Sequence, residues 1–293
     1  MGSVSKVYFT KEITPEKVVE IYDKLGKKLD GNVAIKVHSG EAGNQNFLRP
    51  EFWKPVVEHV GGTIVECNTA YEGERNSTEK HVRLIEAHGW NRYFKVDLMD
   101  REGPDVELPI RNGKHLASDI VGKNFLNYDS MLVLSHFKGH PMGGYGGALK
   151  QLSIGCASTA GKVNIHSAGK YKKTEEQAIV WDDHSEQNAF LESMADAAKA
   201  AVDAKEGRWV FINVLCGLQP DDDCAEAEPL PDIGILASLD PVAVDQAAVD
   251  FTFGAAPAED VRKKWEEKHN VRLLQYAEER GIGKRHYRLK EVV

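Results

Sequence analysis

The chain has 293 residues, enough for one large domain or two lobes around a buried core. Its 42% hydrophobic residues are ordinary for a globular protein, and a net charge of −8 argues against a general surface for nucleic acids or anionic membranes. The four cysteines form no CxxC pair and no apolar run is long enough to cross a bilayer, so we expect a cytoplasmic protein without a disulfide framework.

Helix and strand signals alternate along the first third of the chain. Each predicted helix is marked by an N-cap residue, a proline at its first position or a terminal glycine, and the first helix also has an apolar stripe on one side. The predicted elements are helices over Pro15–Leu29, Pro50–Val60 and Thr78–His88, and strands over Val33–Val37 and Thr63–Cys67. This alternation is typical of a sheet covered by helices.

One hairpin interrupts this pattern, and further strands follow it. Glu107–Ile110, followed by Asn112-Gly113, predicts a hairpin with a type I′ turn. The later predicted elements are strands over Met131–Leu134, Val210–Val214 and Ile233–Leu236, helices over Glu186–Lys205 and Pro241–Phe253, and a loop over Leu218–Pro231. The charged C-terminal helices are expected to form a solvated outer layer, and Asp240 is interpreted as an N-cap rather than a catalyst.

We therefore predict an α/β fold with a mixed or mostly parallel sheet covered by helices, and two lobes with a cleft between them. The whole chain 1–293 is expected to be one domain, with lobes over residues 1–128 and 129–293. No internal repeat or low-complexity tract is present. The sequence leaves open whether the protein is a monomer or a homo-oligomer.

The stretch from Ser135 to His166 concentrates residues that can carry chemistry. Five of the nine residues Gly139–Gly147 are glycine, a density that favours close backbone approach to a ligand. The stretch follows an apolar strand, and ligands in open α/β sheets bind beyond the carboxyl ends of strands. The spacing excludes a P-loop, since Gly155 to Lys162 is one residue too long and Val163 replaces the required Ser or Thr.

The residue types in this stretch fit a site that holds a metal or cofactor and binds a small anionic molecule. Neutral imidazoles ligate borderline metals or shuttle protons, and a desolvated lysine becomes a nucleophile. Structural roles stay open as well: Lys150 as an anion-binding lysine, His166 as a capping or core histidine. Asp222 and Asp223 are interpreted as solvated loop acids.

Characteristic motifs are spread over nearly the whole chain, at Ala34–Glu41, Arg49–Glu51, Ser135–His140, Gly146–Lys150 with Gly155–Ser158, and Asp232–Ser238 with Asp240–Ala243. These segments resemble those of the DUF362 family, whose biochemical role is largely undefined. Many members carry a ferredoxin-like insert, but Tyr171–His184 contains no cysteine here. Only Cys224 remains of a Cys-Asp-Cys pattern seen in relatives, so a [4Fe-4S] cluster is not expected.

The spacing of His140, Lys150 and His166 also resembles, more distantly, the core motif of the nickel-dependent lactate racemase superfamily. That resemblance implies an acid/base role for His140, covalent attachment of a nickel-pincer cofactor at Lys150 and nickel ligation by His166. It further implies that Arg49 anchors the substrate or cofactor. The opposing acid/base histidine has no clear counterpart, and Tyr71 or Arg75 could occupy its place.

The leading hypothesis is an isomerase-like or oxidoreductase-like enzyme that moves a proton or hydride on a small anionic molecule. Its candidate residues are His140, Lys150 and Tyr71 for catalysis, Lys36, Arg49, Lys138, Gly144, Gly146 and Gly147 for binding a substrate or cofactor, and His166 with His136 for a divalent metal. The alternative is a non-catalytic ligand-binding or redox-partner module that has lost its ferredoxin insert. Neither hypothesis involves nucleic acid or a membrane.

Overall fold

Eight strands form one mixed, mostly parallel sheet. The computed structural model describes residues 4–183, 185–219, 230–254, 263, 265–267 and 271–293. Their strands are β1 (Ser5–Thr10), β2 (Val33–Lys36), β3 (Thr63–Glu66), β4 (Val96–Leu98), β5 (Val106–Pro109), β6 (Ser118–Val121), β7 (Ser130–His136), β8 (Lys138–His140), β9 (Gly144–Gly146), β10 (Trp209–Leu215), β11 (Gly234–Ser238) and β12 (Tyr287–Glu291). The order in the large sheet is β12-β1-β11-β10-β7-β2-β3-β4, and only β11 pairs antiparallel with its neighbours.

Helices cover both faces of this sheet. They are α1 (Pro15–Lys24), α2 (Pro50–Val60), α3 (Thr78–Ala87), α4 (Ala148–Leu152), α5 (Thr159–His166), α6 (Gln177–Asp182), α7 (Gln187–Ala204), α8 (Pro241–Val249) and α9 (Val271–Glu279). Alternate residues of β7 enter two different cores: Met131 and Val133 pack with α4, α7, α8 and α9, whereas Leu132 and Leu134 pack with α1 and α2. This explains why the strand is a continuous apolar run, and it confirms the predicted fold class.

The proposed lobes stay a prediction. The boundary between residues 128 and 129 falls just before β7, and the first part of β7, Ser130–Val133, pairs with β2 from the other side of that boundary. Strands from both halves therefore share one hydrogen-bonded sheet. Within the described residues, no helix combines the length and apolar character needed to cross a membrane.

The first hairpin differs from the predicted type I′ turn. Strands β5 and β6 do pair, but residues 110–117 connect them, and Asn112 alone of the Asn112-Gly113 pair has a positive φ. A side chain at Gly113 would meet the Leu116 carbonyl oxygen at 2.0 Å. This glycine therefore serves close packing of the backbone rather than a two-residue turn.

The C-terminal region also differs from the expected solvated layer of helices. Helix α9 buries Leu273 and Leu274 completely against α7, and the last segment forms β12, which pairs parallel with β1. Within the glycine-rich stretch, β8 and β9 form a small antiparallel hairpin that the sequence did not predict. The acidic part of the predicted loop around Asp222, Asp223 and Cys224 lies outside the described residues.

Candidate functional site

A cavity of about 410 Å³ opens at the carboxyl ends of β2, β3 and β7. Its lining includes Lys36 and His38 from the end of β2, Glu66 and Cys67 from the end of β3, and His136 at the end of β7. This position agrees with the rule that ligands of α/β sheets bind beyond the carboxyl strand ends. Of the predicted site residues, it is also lined by Lys138, His140, Gly146, Gly147, Lys150, His166 and Tyr71.

Glu66 is the centre of a buried ion network beneath the cavity. Its Oε2 accepts a hydrogen bond from the Lys36 ammonium at 2.6 Å, and its Oε1 accepts from Arg75 at 3.2 Å. Burial raises the pKa of the Glu66 carboxyl, but Lys36 and Arg75 outweigh that effect and hold its pKa well below the usual range. Lys36, predicted as a binding residue, is thus committed to an internal ion pair.

Arg75 extends this network towards the cavity. Its Nη1 donates to Glu41 at 2.7 Å and to Nδ1 of His38 at 3.0 Å, while its Nε donates to Nε2 of His81 at 3.3 Å. Burial raises the pKa of Glu41, and the charge of Arg75 more than offsets this and lowers it to about 2. The guanidinium fork therefore fixes two carboxylates and two imidazoles at one edge of the site.

Tyr71 lies at the mouth of the cavity, where its hydroxyl donates a short hydrogen bond to Glu41. Burial and the neighbouring Glu41 raise the pKa of the phenol, although Arg75 opposes them. The hydroxyl is consequently held protonated over the physiological range. Its catalytic role stays a prediction, and this environment does not favour action as a base.

His140 is positioned by the β8–β9 hairpin. Gly144, with φ at +75°, lets the chain reverse so that the backbone N–H groups of Met142 and Gly143 donate to Nδ1 of His140, at 3.2 and 2.9 Å. Burial lowers the pKa of this imidazole well below its usual range, and the charges of Lys150, Lys138 and His166 lower it further. The predicted imidazoles and amines therefore act on one another within one cavity.

Lys150 stands on the short helix α4, and a distant carboxylate holds the start of that helix. Asp245 of α8 accepts hydrogen bonds from the N–H groups of Ala148 and Leu149 at 2.7 and 2.8 Å, and from the Asn213 amide at 2.8 Å. Burial raises the pKa of Asp245 to about 6. A Cβ at Gly147 would lie 2.5 Å from Oδ1 of Asp245, so only glycine permits this approach.

His166 ends helix α5, which Ser158 caps by accepting from the N–H of Gly161. Its ring stacks on Phe190 at 4.6 Å and lies 4.9 Å from the ring of Trp181. These aromatic neighbours fix the plane of an imidazole that is only 7% exposed. The site therefore holds His166 rigidly at the cavity wall.

His136 presents one ring nitrogen without a protein partner. Its Nε2 donates to the Cys216 carbonyl at 2.6 Å, whereas Nδ1 is buried and makes no hydrogen bond to the residues that the structure describes. Burial lowers the pKa of the ring to about 4, so the imidazole is neutral. A metal-binding histidine typically donates its other N–H to a carbonyl in this way.

Two predicted binding residues, Arg49 and Gly144, are not part of the cavity lining. The exposed Arg49 lies over the Phe47 ring at 4.1 Å and donates to the Gln45 side chain. Gly144 supports the hairpin of His140 through its backbone rather than the cavity wall. Their predicted binding roles remain untested.

Metal ligation is limited by the number of donor side chains. Among the described residues, no three His, Cys, Asp or Glu side chains are grouped so that they could hold a metal ion. These described residues alone would therefore not give a bare divalent ion three such ligands. A group that brings its own donor atoms would need only one or two ligands from the chain, which His166 and His136 could supply.

Glu66, Arg75 and Asp245 were not predicted as members of the site from the residues themselves. Glu66 lies near the carboxyl end of a predicted strand, at the same end of the sheet as His38, which was the one available signal. Arg75 entered only through a resemblance, and Asp245 lies 96 residues from Leu149 in sequence. Their contacts depend on tertiary structure that no local pattern encodes.

The family model described as "Domain of unknown function (DUF362)" matches residues 33–250. No curated protein matches the chain. The lactate racemase apoprotein from Thermoanaerobacterium thermosaccharolyticum matches at 15% identity and a TM-score of 0.42, over 72% of this chain and 50% of that one. A protein from Thermotoga maritima matches at 10% identity and a TM-score of 0.44, over 92% of this chain and 59% of that one.

The chain thus spans between half and three-fifths of the length of these two structures, and likenesses this distant assign no role to its residues. The family match is different in extent. Since it runs through every residue placed in the cavity and includes Asp245 behind it, the chain belongs to the DUF362 family.

Proposed function

We propose that the protein is an enzyme that binds a small anionic molecule in this cavity and transfers a proton or hydride on it. One observation supports this most directly. The cavity lining carries five formal positive charges, on Lys36, Arg75, Lys138, Lys150 and Lys162, against two negative charges, on Glu41 and Glu66. In a chain with net charge −8, this local excess favours an anion.

The cofactor is proposed to be a metal-containing group rather than a bare ion. His166 and the open Nδ1 of His136 would ligate the metal, and the amine of Lys150 would attach the organic part, as the racemase resemblance implies. Such a group would supply an electron or hydride acceptor. The chain itself contributes the positive field, the oriented imidazole of His140 and the exclusion of water.

Elemental analysis of untagged protein, with His166→Ala and His136→Ala beside it, tests the cofactor. We expect wild type to retain a transition metal and both variants to lose it, whereas His286→Ala, a change at an exposed ring, should retain it. Protein from several hosts that never retains metal would contradict this part of the proposal.

A thermal-shift panel with lactate, oxalate and phosphate tests the substrate class. A ligand of the folded state raises the unfolding temperature by mass action. We expect at least one of the small carboxylates to raise it, and the rise to disappear in Lys150→Met. No shift with any of the three anions would contradict binding of small anions.

The absence of a three-donor metal cluster among the described residues favours a second candidate, a ligand-binding module without catalysis. The same carboxylates would then bind with no exchange of the substrate Cα hydrogen. Turnover of L-lactate in D2O discriminates the two: an enzyme inverts or oxidises the Cα centre by either kind of transfer, with deuterium entering Cα only in proton transfer, whereas a binding module leaves lactate unchanged.

A further inference from the structure

Two imidazoles of the cavity are fixed in one tautomer by their neighbours. Arg75 has only N–H donors, so Nδ1 of His38, at 3.0 Å from Nη1, must be the acceptor. Nδ1 of His38 also lies 3.8 Å from Glu66, beyond hydrogen-bond range. The proton of the neutral His38 ring is therefore on Nε2.

The same reasoning holds for His140. Two backbone N–H groups, those of Met142 and Gly143, donate to its Nδ1, and a backbone amide nitrogen cannot accept in return. Protonation of Nδ1 would set a third N–H against these two. The neutral ring therefore carries its proton on Nε2, and Nε2 offers a donor rather than a lone pair.

Electrostatics keeps both rings uncharged. Burial lowers the pKa of His38 to about 3, with Lys138 and Arg75 adding to the effect, and Glu66 opposes it only in part. Burial lowers the pKa of His140 well below its usual range, and the charges of Lys150 and Lys138 lower it further. Both line the cavity, and Nε2 of neither ring has a hydrogen-bond partner within the described residues.

We propose that His38 and His140 form an oxyanion-binding pair, in which two neutral imidazoles donate their Nε2–H groups to an oxygen of the anionic ligand. The pair rests on the proposed function, because that function supplies the anionic ligand. It assigns a binding role to His38, and it makes His140 a fixed hydrogen-bond donor rather than a base. Donors held in place before the ligand arrives stabilise negative charge that develops on a carboxylate or enolate oxygen.

The tautomers can be measured without any ligand. Two-bond ¹⁵N–¹H correlation spectra of protein labelled at histidine distinguish Nε2–H, Nδ1–H and imidazolium rings, and the variants His38→Gln and His140→Gln assign the signals. We expect Nε2–H patterns for both rings from pH 5.5 to 8.5. An Nδ1–H or imidazolium pattern for either ring would overturn the proposal that both rings are Nε2–H donors.

Oxalate affinity, measured by calorimetry, tests the donor function. Glutamine can replace the Nε2–H donor and leucine cannot, so we expect His38→Gln and His140→Gln to stay within about threefold of wild type. The leucine variants should lose about tenfold or more, as expected for one hydrogen bond to a charged group. Equal oxalate affinity in glutamine and leucine variants overturns the proposal.

Failure of wild type to bind oxalate would count against the proposed small-carboxylate function. The tautomers measured without ligand would still test whether His38 and His140 are both Nε2–H donors. Failure of the proposed function and failure of the donor pair are therefore distinguishable. Circular dichroism of each leucine variant checks that it folds.

Discussion

Glu66 is a carboxylate that water scarcely reaches, since its side chain is 2% exposed, and it forms ion pairs with Lys36 and Arg75. Removing one partner of a buried ion pair leaves an uncompensated charge. The loss of folding free energy is then larger than the amount that the intact pair contributed. We expect Arg75→Met to lower the free energy of unfolding by about 3 kcal/mol or more, measured by urea denaturation. The control Arg83→Met changes an exposed arginine on α3 and should shift it by less than about 0.5 kcal/mol. Similar losses of the free energy of unfolding in the two variants would contradict the role of Arg75 in the buried ion network.

Glu41 gives the network a signature in acid. Its pKa is about 2 in the folded protein, below its ordinary value of 4.5, because the charge of Arg75 outweighs burial. A depressed pKa stabilises the fold at a pH above the ordinary value, and that stability is lost as the pH falls through the range from 4.5 towards 2. We expect the free energy of unfolding of wild type to fall in this range more steeply than that of Glu41→Gln. Parallel curves would be inconsistent with this pairing.

At the scale of elements, the position of Lys150 depends on how helix α4 begins. Asp245 satisfies the first N–H groups of this helix from across the structure, just as Asp240 caps α8 from within its own sequence, at 2.9 and 3.0 Å. We expect Asp245→Ala to lower the free energy of unfolding by about 2–4 kcal/mol, since it leaves buried donors unsatisfied, and to weaken oxalate binding as well. The matched control Asp240→Ala should cost about 1–2 kcal/mol as a lost cap while oxalate affinity stays unchanged. Equal effects of the two variants on affinity would show that α4 is not positioned by Asp245.

These elements also show what a sequence can and cannot predict. Terminal glycines, together with the Ser77 cap of α3, predicted α2 and α3 to within a residue, because these signals are local. The β8–β9 hairpin was missed because glycines have no strand propensity, and its pairing depends on the reversal at Gly144. The histidines and lysines of the site were predicted from their clustering. The carboxylate of Asp245 resembles any other helix residue until the tertiary structure places it against Gly147.

At the scale of the whole molecule, one sheet joins the two predicted lobes. The central strand β7 pairs with β2 on one side and β10 on the other, so if one lobe unfolded alone, the lobe that stayed folded would lose the hydrogen bonds between β7 and β2. We therefore expect a single cooperative transition. Two single-tryptophan proteins report on it, one that keeps only Trp90 and one that keeps only Trp209, since each residue is buried on a different side of the 128/129 boundary.

The two fluorescence curves in urea and the far-ultraviolet circular dichroism curve should share one midpoint. Leu132→Ala, which removes a fully buried side chain from β7, should lower the free energy of unfolding reported by both tryptophans equally, by about 2–5 kcal/mol. An exposed leucine, Leu126, provides the control Leu126→Ala, whose effect should be small. Separate midpoints for Trp90 and Trp209 would instead establish two lobes that unfold independently, with the cavity between units able to move against each other. Coincident midpoints would mean that the imidazoles of the cavity are held by one rigid sheet, as a fixed pair of donors requires.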